Sequence, residues 1–173
     1  MRRHSLLALL GTALLIAAAA GCEGDGELTL EAYFQEIDSI FKQGEERLEP
    51  QVEALYQEFS SEDEQVRANR DFWNAVVPNF RDTVDALEVI NAPPEVAEEH
   101  DKFTEVAMEL GGHFSDISDR LEDVESISEV IELLDDPGLN EASDRLDEAC
   151  LILQDIADAN NIEVNLECVE EDT

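Results

Sequence analysis

From Phe34 to Ala157 the apolar residues of this chain return at steps of three and four, and no other sequence feature constrains the fold as strongly. Phe34, Ile37, Phe41, Gly44, Leu48, Val52, Leu55 and Phe59 make the first such series. That spacing places one apolar stripe along a helix and leaves the remaining circumference polar. A helix of this kind is stable only when its stripe is covered, so several in succession must cover one another.

Three further series follow. Ser61 and Glu64 stand at capping-box spacing and open a second helix carrying Val66, Trp73, Val76 or Val77, Phe80, Val84, Leu87 and Ile90. Asn91-Ala92-Pro93-Pro94 reads as a turn, with Pro94 near the first position of the next helix. The third seam is Val96, Phe103, Ala107, Leu110, Phe114, Ile117, Leu121 and Val124. Pro50 and Pro78 are expected to kink or break their helices, and Gly111-Gly112 to loosen the third. A short apolar piece, Ile127 to Leu134, ends at the turn Asp136-Pro137-Gly138. The last seam holds Leu139, Ala142, Leu146, Cys150, Leu153 and Ala157, and Asn160-Asn161 can end it in a left-handed conformation. Ile162, Val164, Leu166 and Cys168 then alternate with polar residues, as an extended tail laid along the bundle would. The fold class expected is all-α: an up-and-down four-helix bundle with a short extra helix and a pinned extended tail.

The stretch before these helices is different. Basic Met1-Arg-Arg-His-Ser5 precedes Leu6–Ala20, in which every residue but Thr12 is apolar or small. This is the layout of a secretory signal peptide, and it is short of the ~20 apolar residues a membrane-crossing helix needs. Arg2-Arg3 leaves the twin-arginine route open beside the general one. The run closes on Ala19-Ala20-Gly21-Cys22, which resembles the lipobox of prokaryotic lipoproteins, with Ala19 where leucine is usual. The resemblance covers residues 1–22 and implies cleavage after Gly21 and acylation of Cys22. The plainer alternative is a cleaved signal followed by a free cysteine. The domain plan is then residues 1–21 as signal, 22–29 as lipidated cysteine and flexible tether, and 30–173 as the bundle. Localisation follows as the cell envelope, on the extracytoplasmic face of a membrane.

Charge narrows the partners. Residues 1–21 hold Arg2 and Arg3 and no acid, so the remaining 152 residues set 44 acids against 8 bases, a formal charge of −36. Hydrophobic content of 43% argues against disorder at that charge. Such a surface repels phosphates and anionic headgroups, which excludes nucleic acid as a partner, and it attracts cations and basic proteins. Once Cys22 is taken by lipid, Cys150 and Cys168 remain. An even pair in an oxidising compartment reads as a disulfide worth roughly 3 kcal/mol, the alternative being two buried thiols.

Three segments, Leu28–Ile37, Ala92–Phe103 and the Ala149-Cys150…Cys168 region, resemble acidic helical-bundle lipoproteins of bacterial envelopes whose function is uncharacterised. The resemblance implies bundle, envelope and disulfide; it carries over no activity and no site residues.

Chemistry-bearing residues are few. His100 falls on the third seam and His113 beside it, with Glu109 one turn before His113, so these three are the candidate metal ligands. The two histidines are 13 residues apart, ~20 Å by helix rise, and cannot share one ion. The Glu-x-x-His spacing of di-iron bundles is missing, since Ala97 and Leu110 precede the histidines by three. The chain has no calcium-loop pattern, no GxSxG, no phosphate loop and no HExxH, so neither catalysis nor a cofactor is expected. Trp73 and Tyr56 read as core or interface aromatics. The expected function is a membrane-tethered, non-catalytic interaction module presenting an acidic surface to a basic envelope protein. The alternative is a bundle that binds a small ligand or metal in its interior.

Overall fold

The computed structural model describes residues 28–166 and 168. The segment expected to be a signal peptide, Cys22 and most of the expected tether lie outside the described residues. The described chain is all-helical: α1 (Leu30–Leu55), α2 (Glu62–Glu88), α3 (Ala97–Leu121), the short α4 (Ile127–Leu134) and α5 (Pro137–Ala159). The four long helices pack up-and-down in the order α1, α2, α3, α5, and α4 lies across one end against α2 and α3. No described helix is long and apolar enough to cross a membrane.

Side chains close most helix starts. Thr29 accepts from the Ala32 amide, Ser61 from Glu64 and Ser126 from Glu129, each satisfying an amide the helix itself cannot. Ser126 and Glu129 form a full capping box. At α2 the reciprocal arm reaches one residue further, with Glu64 accepting from the amide and hydroxyl of Ser60. Asp136 caps α5 by accepting from Gly138 and Leu139, and Pro137 is its first residue. The turn expected at Asp136-Pro137-Gly138 is thus already the start of the last helix.

Other boundaries also differ from the expectation. The third helix begins at Ala97, because Pro93 to Val96 form a turn closed by the Val96 amide on the Pro93 carbonyl. The first helix stops at Leu55 and leaves Phe59 in the loop. Pro50 and Pro78 are contained within continuous helices. Each is exposed, and the carbonyls they leave unpaired, on Glu46 and Asn74, belong to exposed residues where water can bond them. Gly111-Gly112 likewise lies inside an unbroken α3.

The far end of α5 is held in three ways. The Ile162 amide bonds the Ala157 carbonyl and the Asn161 amide bonds Asp158, a Schellman closure with Asn161 at φ 56°. The extended tail then lies along α5, where the Gln154 amide group donates to the Val164 carbonyl and accepts from the Leu166 amide. A disulfide joins Cys150 to Cys168 at a Cα separation of 5.6 Å.

Two hydrophobic clusters result. The larger gathers Tyr33, Phe34, Ile37 and Ile40 of α1, Leu87 of α2, Phe103 of α3, Leu153 and Ala157 of α5, and Leu166 of the tail. Each large apolar side chain buried there contributes ~1.5–3 kcal/mol. The smaller cluster, at the α4 end, joins Val66, Ile117, Leu121, Val124, Val130 and Leu133. There Arg70 of α2 donates to the carbonyls of Leu121 and Val124, closing the end of α3 from outside.

Candidate functional site: an apolar cavity between α1 and α5

Extensive packing joins α1 to α2, α2 to α3 and α3 to α5, but not α1 to α5. The two outer helices meet through the larger cluster, where the first part of α1 faces the last part of α5. Beyond that point the bundle is open, and a cavity of about 470 Å³ lies between Phe41–Leu48 on α1 and Leu146–Cys150 on α5. That is within the ~300–1,000 Å³ of ordinary small-molecule sites.

The wall is largely aromatic. Phe41, Phe72, Trp73, Phe80, Phe103 and Phe114 all line it. Trp73 meets Phe114 edge-on at 5.3 Å between centroids, Phe114 meets Phe80 at 4.9 Å, and Phe72 meets Trp73 at 5.7 Å. These edge-to-face contacts hold the rings against one another, so the space is framed by a mutually braced set. Leu166 and the Cys150–Cys168 bridge close one side.

Gly44 sets the spacing of α1 on α2. A Cβ there would stand 3.1 Å from the Thr83 hydroxyl, and its carbonyl accepts from the Asn79 amide nitrogen at 2.9 Å. Thr83 donates to the Asn79 carbonyl. The Asn79 side-chain oxygen is buried without a partner, and the bond to Gly44 fixes which end of the amide it is. Glu45 is exposed and Asp147 partly so, which puts these two lining residues at the cavity mouth, one on each outer helix.

The sequence-derived candidates fall elsewhere. His100 is buried in the larger cluster, where the Tyr33 hydroxyl and His100 Nδ1 are 3.0 Å apart and the two rings meet edge-on. Burial lowers the His100 pKa from its ordinary value; the charge of Asp101 and a bond to the Leu87 backbone oppose this without reversing it. Burial, then Asp101 and Glu99, raise the Tyr33 pKa, so the phenol keeps its proton and donates to a neutral imidazole. Glu109 pairs with Arg145 across α3 and α5 at 2.7 Å. His113 lies beside the first turn of α5, where a Cβ on Gly138 would come within 3.0 Å of its ring. The three are not brought together, and no group of three or more His, Cys, Asp or Glu among the described residues could hold a metal ion. Tyr56, read as a core or interface aromatic, is 86% exposed, while Trp73 serves the cavity.

Phe72, Asn79 and Thr83 were not singled out in the sequence. Asn79 and Thr83 are polar residues one turn apart on an otherwise apolar face, and that pairing was the available signal. Comparison with known proteins gives no match to a protein family, a curated protein or a solved structure. Fold and site together define a helical bundle with an open-sided apolar cavity.

Proposed function

We propose that this protein is a non-catalytic binding protein of the cell envelope, tethered through acylated Cys22, that holds an apolar small molecule in the cavity between α1 and α5. The observation that carries the reading is the cavity itself, about 470 Å³ walled by six aromatic rings. A bundle of this size has apolar residues enough to fill such a space, and an unfilled core costs stability. A ligand that covers the rings recovers that loss, which makes binding favourable without any catalytic group. The basic start, the apolar run and the lipobox-like ending at Cys22 support the tether. The formal charge of −36 after residue 21 keeps a second reading, docking of a basic envelope protein, in play beside the first.

Native mass spectrometry of the protein gently extracted from its own membrane tests both parts. The expected spectrum shows an acylated chain with one additional non-protein mass, absent from Leu146→Trp, whose indole would occupy the cavity. A bare chain that also fails to bind any apolar probe would refute the ligand reading. Cys22→Ser is expected to lack the acyl mass, and an unchanged acyl mass would refute the tether.

A further inference from the structure

We propose that the cavity takes a neutral carbonyl compound, an apolar body carrying a ketone or ester oxygen, and that the Trp73 indole N–H receives that oxygen. The inference rests on the binding reading above and specifies its ligand.

The lining side chains that carry nitrogen or oxygen are Glu45, Trp73, Asn79, Thr83 and Asp147. Glu45 and Asp147 already interact elsewhere, and as carboxylates they offer no proton. Thr83 gives its proton to the Asn79 carbonyl. Asn79 gives one amide proton to Gly44, which holds that nitrogen in the α1–α2 contact and leaves it one further proton. The Asn79 side-chain oxygen is buried beyond the reach of even a water-sized group. The helical backbone around these residues is spent on its own ladder. Trp73 remains. Its N–H can only donate, and no described residue accepts from it. Asn79 Oδ1 is the one fully buried side-chain polar atom without a partner among the described residues, so the unpaired Trp73 nitrogen stays open to an incoming group. Edge-on contacts with Phe72 and Phe114 brace the indole before any ligand arrives, so little ordering is required on binding.

Charge decides what kind of acceptor enters. No Lys, Arg or His lines the wall, so a carboxylate or phosphate would enter an apolar space with no cation to meet it. The field of the whole chain, at a formal −34, repels anions from a distance as well. A neutral carbonyl avoids both costs. Its apolar body covers the rings while its oxygen takes the one proton that Trp73 has to give.

The test uses the full acylated protein in neutral nanodiscs, with empty nanodiscs subtracted, and two probes of one shape: 2-acetylnaphthalene and its hydrocarbon isostere 2-isopropenylnaphthalene. In calorimetric titration, Trp73→Phe should weaken the ketone roughly tenfold and the hydrocarbon less than about twofold, because the ring is kept and only the donor is lost. Unchanged thermal melting shows that the variant folds. A second readout needs no variant. Trp73 is the chain's one tryptophan, so nitrogen-15 labelling of tryptophan gives a single indole N–H resonance. The ketone should move its proton downfield relative to the hydrocarbon, whose ring currents are nearly the same. Equal losses of the two probes in Trp73→Phe, or equal indole shifts with both, would overturn the carbonyl proposal and leave the binding reading standing. Failure of both probes to bind the unaltered protein would remove both.

Discussion

The two ends of the bundle solve the burial problem differently. In the larger cluster all four long helices and the tail converge, and Tyr33, Phe34, Ile37 and Leu153 are wholly buried. A buried polar pair, Tyr33 and His100, is tolerated there because its members satisfy each other. Further along, α1 and α5 part, the lining aromatic residues other than Phe103 are only partly buried, and the rings frame a space instead of filling it. Stability is concentrated where the helices close, and the apolar surface left over is concentrated where they do not. A bundle can carry a cavity in one half because the other half holds the helices in register.

That contrast can be broken most directly by truncating one ring at each end. Phe34→Ala should cost ~3–5 kcal/mol, the usual penalty for a fully buried aromatic, whereas Phe80→Ala, facing the cavity, should cost under ~2 kcal/mol. Urea denaturation of both variants measures the difference; equal losses would mean that the cavity rings are core like any other.

The bridge comes next. Cys150→Ser with Cys168→Ser should lose about 3 kcal/mol and detach the tail from one wall of the cavity. Resistance of both cysteines to alkylation before reduction checks that the bond forms.

Removing the Tyr33 hydroxyl leaves His100 Nδ1 buried and unpaired, so Tyr33→Phe should cost ~1–3 kcal/mol. The same pair gives a pH signature. The native state holds His100 with a lowered pKa, so the unfolded chain binds the extra proton first as pH falls. This contribution is complete above the ordinary value of 6.5 and is lost progressively below it. The charge of Asp101 favours protonation of His100 but is outweighed by burial. Urea midpoints should fall between about pH 7.5 and pH 5.5, less so in His100→Gln, where the site does not titrate.

The smallest expected change is a gain. A Cβ on Gly112 meets nothing within 4 Å, so Gly112→Ala should stabilise by up to ~1 kcal/mol through helix propensity. On Gly44 the Cβ would press the Thr83 hydroxyl, so the same substitution should give less or reverse sign. Thermal melting of the two sharpens where α1 and α2 are closely fitted and where α3 is merely solvated.

The seams were legible in the sequence because burial imposes a period on each helix separately. Ser61, Ile127–Leu134, Asn161 and the alternating tail were legible for the same local reason. Pro94 misled because the proline pair makes its own turn before the helix begins. The cavity was not legible: Phe80 and Phe114 have the same spacing whether they fill a core or line a gap. What decides is that α1 and α5 diverge, a relation between residues about a hundred apart. The Tyr33–His100 bond, 67 residues in span, was hidden in the same way.

One side chain, Gln154, grips the tail at both Val164 and Leu166, and Cys150 takes hold two residues beyond. The stretch from Asn161 to Cys168 is thereby fixed in length. Adding or deleting a single residue would turn Glu163 and Asn165 toward the helix, swing Leu166 outward and carry the sulfur away from its mate. Over evolutionary time this segment can accept exchanges on its outer face, but an insertion or deletion of one residue would have to be matched by a second to survive.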